Sequence, residues 1–130
     1  EICACLVGSE MCIRDSADFV DLPIVILVNG YSASASEAFT GAARDFKRAV
    51  TVGTKTYGKG IMQTTYTLPN GGAFKLTTAK YYLPGGECIH KTGITPDCVV
   101  ELPDGKASRD ADMTDEQDTQ LQKALELLKK

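Results

Sequence analysis

The sequence holds one histidine, His90, and no excess of positive charge. Fourteen Lys and Arg face seventeen Asp and Glu, a formal net charge of -3. Phosphate binding needs a basic face, so the balance argues against a nucleic-acid partner. No apolar run approaches the roughly 18–20 residues that cross a bilayer. The opening residues lack the basic-then-apolar pattern of a signal peptide. A membrane tie is therefore expected only through an N-terminal anchor missing from these residues. The acids between 102 and 112 lack the Gly and Glu positions of a calcium loop and read as a solvated connector. Of five cysteines, Cys3, Cys5 and Cys12 fall in the first sixteen residues, and no His or Cys cluster elsewhere completes a zinc site with them. No metal or other cofactor is expected.

What is present is the composition of an ordinary globular protein: 130 residues, 43% hydrophobic and 24% charged. That length is one domain or part of one, with a core that is marginal if part of the fold is missing. Residues 1–16 stand apart. EICACLVGSEMCIRDS has neither helix nor strand periodicity, and its CLVGSEMCIRDS stretch resembles a peptide produced when sequencing-adapter DNA is translated. This segment is expected to be non-native, with the true upstream chain cut away; the alternative is a poorly patterned native loop. Residues 17–103 are read as the body of a domain and 104–130 as a connector and terminal helix.

LPIVILVN (22–29) is a continuous, β-branched apolar run, the pattern of a strand covered on both faces. Gly30 breaks it. Ala35, Ala38, Phe39, Ala42, Ala43 and Phe46 then recur at helical spacing. RAVTVGT (48–54) reads as a second buried strand. Strand, turn, helix and strand together predict an α/β layer with a parallel or mixed sheet. IMQTTYTL and AFKLTTAKYYLP flank PNGG, a strong hairpin signal. A short strand is expected near Val99. Thr114 and Gln117 form a capping box for a last helix striped by Leu121, Ala124, Leu125 and Leu128. Cys88 and Cys98 are ten residues apart around a KTG turn, and either a disulfide or two free thiols fits.

Ser34 is the strongest nucleophile candidate. It follows a buried strand and begins a helix, where backbone N–H groups are unpaired and the helix dipole favours an anion. The N–H of Ala35 could hold a tetrahedral oxyanion there. Local pattern alone favours a plainer reading: Ser34 and Glu37 fit S-x-x-E, a capping box that only starts the helix. A Ser-His-Asp triad would have to use His90, which is far in sequence from Ser34; a surface or hydrogen-bonded structural role is expected for it. Lys59, between Gly58 and Gly60, has no helix or strand role. A lysine acts as a base only when desolvated enough to be neutral, and Ser-Lys pairs are a known variant of the triad. GTKTYGKG lacks the phosphate-loop pattern, since Gly60 follows the lysine.

LVNGYSASASEAF, RAVTVGTKTYGKGIMQ, LPNGGAFKLTTAKYYLPGG and GITPD, in that order over roughly residues 22–103, resemble the catalytic domain of the C-terminal processing (tail-specific) peptidases. The resemblance implies a partial ClpP/crotonase-like α/β core with a hairpin and a C-terminal helix. It implies Ser34 as nucleophile, Lys59 as base 25 residues on, and Gln63 orienting that lysine by a hydrogen bond. Ser32 and Ser36 would be supporting serines, and a second oxyanion donor would come from an upstream glycine. The chain would have to bend near Gly60 for Gln63 to reach Lys59. Such peptidases cut polypeptides with apolar C-terminal tails, outside the cytoplasm or anchored to a membrane, with a PDZ domain upstream. A piece this short is expected to cleave poorly alone. A non-catalytic peptide-binding or scaffold module is the rival reading, and homo-oligomerisation is left open.

Overall fold

The computed structural model describes residues 22–129. The segment 1–16, with Cys3, Cys5 and Cys12, lies outside them.

Strand β1 spans Val25–Val28, helix α1 Ala35–Asp45 and strand β2 Val50–Gly53. The expected strand, turn, helix and strand are all present. β1 and β2 pair in parallel, Val25 opposite Val50 and Val28 opposite Gly53. A two-residue strand β5, Cys98–Val99, adds in parallel to the other side of β2. Thr51, fully buried, locks that junction: its N–H and hydroxyl donate to Asp97 Oδ2 at 2.8 and 2.7 Å. The Asp97 N–H in turn donates to the Thr51 hydroxyl at 2.8 Å.

Between β2 and β5 the chain forms a separate antiparallel hairpin, β3 (Ile61–Thr67) and β4 (Ala73–Lys80). The PNGG turn closes it as the sequence predicts. Tyr66 stacks on Phe74 with ring centroids 5.2 Å apart, and the register shifts between Met62 and Gln63. A small apolar core of Leu83, Ile89 and Ile94, with Tyr81 packed against it, lies beyond the hairpin.

The last helix, α2 (Thr119–Leu128), starts later than expected. Thr114 and Gln117 do bond, Thr114 N–H to Gln117 Oε1 at 3.1 Å, but they close only a turn. The cap is Asp118, whose carboxylate accepts the Leu121 N–H at 2.9 Å. α2 packs on β1 and β2.

Two burial expectations do not hold among the described residues. In the β1 run only Val28 is buried, while Ile24 and Leu27 stay exposed, because β1 is the edge of the three-stranded sheet. The apolar stripe of α1 faces outward, with Phe39 65% and Phe46 67% exposed. The buried side of α1 is instead Glu37, Thr40 and Gly41. A polar acid, Glu37, takes an inward position. Cys88 and Cys98 are both free, half-buried thiols.

Candidate active site

The tight turn after β1 delivers Ser34 to the head of α1. Asn29 organises that turn: its N–H donates to the Ser32 hydroxyl at 3.1 Å, and its side-chain oxygen accepts the Tyr31 N–H at 2.9 Å. Ser34 itself sits at φ 58°, ψ -115°. Caps ordinarily use extended backbone, and a non-glycine residue held at positive φ costs about 1–3 kcal/mol. Ala35 is the first helical residue, so its N–H has no partner one turn back and is free to face an anion.

The strain is held by Glu37. Its side chain is fully buried, and no cation pairs with it among the described residues. Four donors satisfy it instead. Oε2 accepts the backbone N–H of Ser34 at 2.9 Å and of Lys59 at 2.8 Å. Oε1 accepts the Thr56 hydroxyl at 2.5 Å and the Gly58 N–H at 2.7 Å. Burial alone would push this carboxyl up, but the bonds from Thr56, Lys59, Gly58 and Ser34 hold it below the ordinary glutamate value. The acid of the S-x-x-E box therefore does more than start a helix. It joins the serine turn to the lysine loop.

That loop is flat because it must be. Gly58 has φ +90°, and a Cβ on it would lie 2.8 Å from the Gly93 nitrogen. A Cβ on Gly60 would lie 2.8 Å from the His90 nitrogen. Both glycines press the loop against the Ile89–Gly93 turn, with the Lys91 N–H donating to the Gly58 carbonyl at 2.8 Å. Lys59, between them, can only point away, and it is exposed. A further bond, from the Tyr57 N–H to the Ser32 carbonyl at 3.0 Å, stitches the loop to the serine turn.

The structure thus brings the backbones of Ser34 and Lys59 together on Glu37, with Ala35 next to Ser34 at the start of the helix. Gln63 departs from its expected partner: its amide donates to the Thr77 hydroxyl across the hairpin at 3.4 Å. β3 begins at Ile61 and carries Gln63 along the strand, so the bend near Gly60 does not turn it back toward Lys59. His90, far away in sequence, is close in space. It lines a cavity of about 680 Å³ with Lys59, Tyr31, Ala33, Tyr57, Ile61 and Lys91. Its Nδ1 is buried without a hydrogen-bond partner among the described residues, which is neither the surface nor the satisfied role expected. A separate concavity of about 590 Å³ beside Leu22, Ile24 and Arg44 includes none of the candidate residues. Sequence reasoning gave Glu37 only a capping role and overlooked Tyr81, whose hydroxyl also reaches this site.

The α/β layer thus offers a serine at the head of its first helix, with the backbone of a glycine-flanked lysine held beside it. Residues 9–100 match the model of peptidase family S41, and the chain belongs to that family. The match begins inside the unpatterned 1–16 segment. The chain is 54% identical over 81 residues to a carboxy-terminal-processing protease of Bartonella bacilliformis, covering 62% of the chain and 19% of that protein. It is 47% identical over 108 residues to a carboxyl-terminal-processing protease of Synechocystis, covering 83% and 25%. Among solved structures it is similar to a photosystem II D1 C-terminal processing protease: TM-score 0.58, 44% identity, 60% of this chain and 20% of that one. A Streptococcus agalactiae lipoprotein aligns with a TM-score of 0.61 and 25% identity, over 82% and 31%. The chain spans about a fifth to a quarter of the curated relatives it matches.

Proposed function

We propose that these residues form part of the catalytic domain of a serine endopeptidase that cuts polypeptides near their C-termini, with Ser34 as nucleophile and Lys59 as base. The observation that carries the reading is the shared Glu37 Oε2, which takes the N–H of Ser34 at 2.9 Å and of Lys59 at 2.8 Å. A carboxylate buried to hold those two backbone positions together has no purpose in a protein that uses only one of them.

In this reading neutral Lys59 takes the Ser34 hydroxyl proton as Oγ attacks the scissile carbonyl. The oxyanion forms toward the Ala35 N–H. The Lys59 ammonium gives its proton to the leaving amine, and the acyl-enzyme remains on Ser34. Neutral again, Lys59 takes a proton from the attacking water and returns it to Ser34 Oγ as the tetrahedral intermediate collapses, and the acyl chain leaves as a carboxylic acid that ionises in solvent. Lys59 is exposed among the described residues, and a lysine base needs cover. A peptide lying across the cavity supplies it. Tyr31, Tyr57 and Ile61 in that cavity suit apolar C-terminal tails. Gln63 enters as an aid to Lys59 through the family resemblance, after leaving Thr77. Action outside the cytoplasm enters this reading through the family resemblance. The 130 residues alone turn substrate over slowly, since they span so little of their relatives.

The test uses a full-length peptidase carrying these residues. Lys59→Ala abolishes turnover and leaves thermal unfolding unchanged, and Ser34→Ala abolishes labelling by an active-site serine reagent. Normal cleavage by Lys59→Ala overturns the mechanism. Absence of labelling in the unsubstituted full-length protein favours a peptide-binding module.

A further inference from the structure

Tyr81 follows β4, and its backbone N–H donates to the Gly60 carbonyl at 3.1 Å. Its ring packs on Leu83, Ile89 and Ile94. Its hydroxyl oxygen lies 3.1 Å from the Ser34 carbonyl oxygen and 2.5 Å from that of Lys59. Both acceptors belong to the two residues whose N–H groups meet on Glu37 Oε2. Ser34 and Lys59 are therefore each gripped twice, by the amide on Glu37 and by the carbonyl on Tyr81.

We propose that Tyr81 is a positioning residue of the peptidase, its hydroxyl proton shared between the Ser34 and Lys59 carbonyls and fixing the separation of nucleophile and base. The inference rests on the Ser34–Lys59 reading above. Two features make a second grip necessary. Ser34 is held at positive φ, so its peptide planes relax if released. Lys59 is exposed between two glycines, and such a loop resists displacement only through its bonds. The Ser34 carbonyl also accepts the Ala38 N–H at 3.0 Å, whereas Tyr81 is the one partner given to the Lys59 carbonyl among the described residues. Burial, reinforced by the charge of Glu37, keeps the phenol above its ordinary pKa, so it remains a donor. The turn that follows Tyr81 is tied to the end of α1: Asp45 accepts the Gly85 N–H at 2.8 Å, and Arg44 pairs with Glu87 at 2.6 Å.

Tyr81→Phe keeps the ring and removes the proton. In the full-length peptidase, kcat per titrated active serine falls about 10–100-fold, the loss expected for a misplacement of about 1 Å. KM stays within about twofold. Leu83→Ala disturbs the same apolar cluster and keeps the hydroxyl; it lowers the unfolding midpoint while kcat per titrated serine holds. A fluorinated tyrosine at position 81 loses turnover as pH rises through its lowered phenol pKa, and the unsubstituted enzyme does not. Lys59→Ala separates the two claims. If that variant cleaves normally, the dyad falls and the Tyr81 role with it. If it is inactive while Tyr81→Phe, counted per titrated serine, turns over like the unsubstituted enzyme, the positioning role alone is wrong.

Discussion

Glu37 Oε2 lies 2.8 Å from the backbone nitrogen of Lys59, a residue 22 positions further along the chain. That bond carries the register of the lysine loop into the first turn of α1. Glu37 is also the sort of group that cannot be left half satisfied: a buried carboxylate without its donors, or buried donors without it, costs several kcal/mol.

Replacing it by glutamine therefore tests the link directly. One side-chain oxygen becomes an NH₂ that cannot accept from an N–H. Either Ser34 and Lys59, or Thr56 and Gly58, lose their acceptor. Glu37→Gln is expected to destabilise by roughly 3 kcal/mol and, on the proposed mechanism, to lower kcat by loosening Ser34 and Lys59. The pH dependence has a definite sign. The folded-state pKa is depressed, so Glu37 contributes stability above its unfolded value of about 4.3. That contribution is lost as pH falls through the depressed folded value. Unfolding midpoints measured downward from neutral pH should show this acid-side loss in the unsubstituted protein and less of it in Glu37→Gln.

Thr51 and Asp97 make a contrasting pair, structural and apart from the proposed Ser34–Lys59 site. Thr51→Val keeps the shape but removes the hydroxyl that donates to Asp97 at 2.7 Å and accepts from its N–H at 2.8 Å. The Asp97 N–H loses its partner, at a cost of about 1–3 kcal/mol. The midpoint of thermal unfolding should fall by several degrees while kcat per titrated serine stays unchanged. A fall in kcat without a fall in the midpoint would place Thr51 in the catalytic machinery instead.

Gln63 is held by Thr77 at 3.4 Å, a long and exposed bond that substrate could exchange for one to Lys59. If Gln63 serves Lys59 in the working enzyme, Gln63→Ala lowers kcat and Thr77→Ala leaves it equal or higher, by releasing the amide. If the hairpin bond is Gln63's whole role, the two variants change kcat and stability alike. Steady-state kinetics on the pair decides between these outcomes.

The elements legible from sequence were those written in local code. β-branched runs gave β1 and β2, PNGG gave the β3–β4 turn, and the SASAS and YGKG motifs marked Ser34 and Lys59. Burial was less legible. The outward stripe of α1 and the edge position of β1 depend on neighbours that no local pattern encodes. The start of α2 was misplaced because Thr114–Gln117 and Asp118 both offer caps, and only the second leads into a helix lying on the sheet. Glu37 was visible as a cap, but its bonds to Thr56, Gly58 and Lys59 reach across 19 to 22 residues. Tyr81 meets Ser34 across 47 residues. Contacts of that span leave no periodic trace.

His90 was set aside as a catalytic base because of its distance in sequence from Ser34, yet it faces the same cavity as Lys59. Its Nδ1 is buried and has no partner, and a group in that state carries a desolvation cost of about 1–3 kcal/mol. Removing it should not harm the fold. His90→Leu is expected to leave the unfolding midpoint unchanged or raise it. The ring lines the cavity, and a turn of the ring on peptide binding would bring that nitrogen to a polar group of the peptide and relieve the cost. His90→Leu should therefore raise KM for peptides that place a hydroxyl or amide there. It should lower or preserve KM for peptides that place an aliphatic side chain there, with kcat little changed in both. A panel of peptides differing only at the residue that fills the cavity measures this. A uniform fall in kcat across the panel would show instead that His90 acts on Lys59 rather than on the substrate.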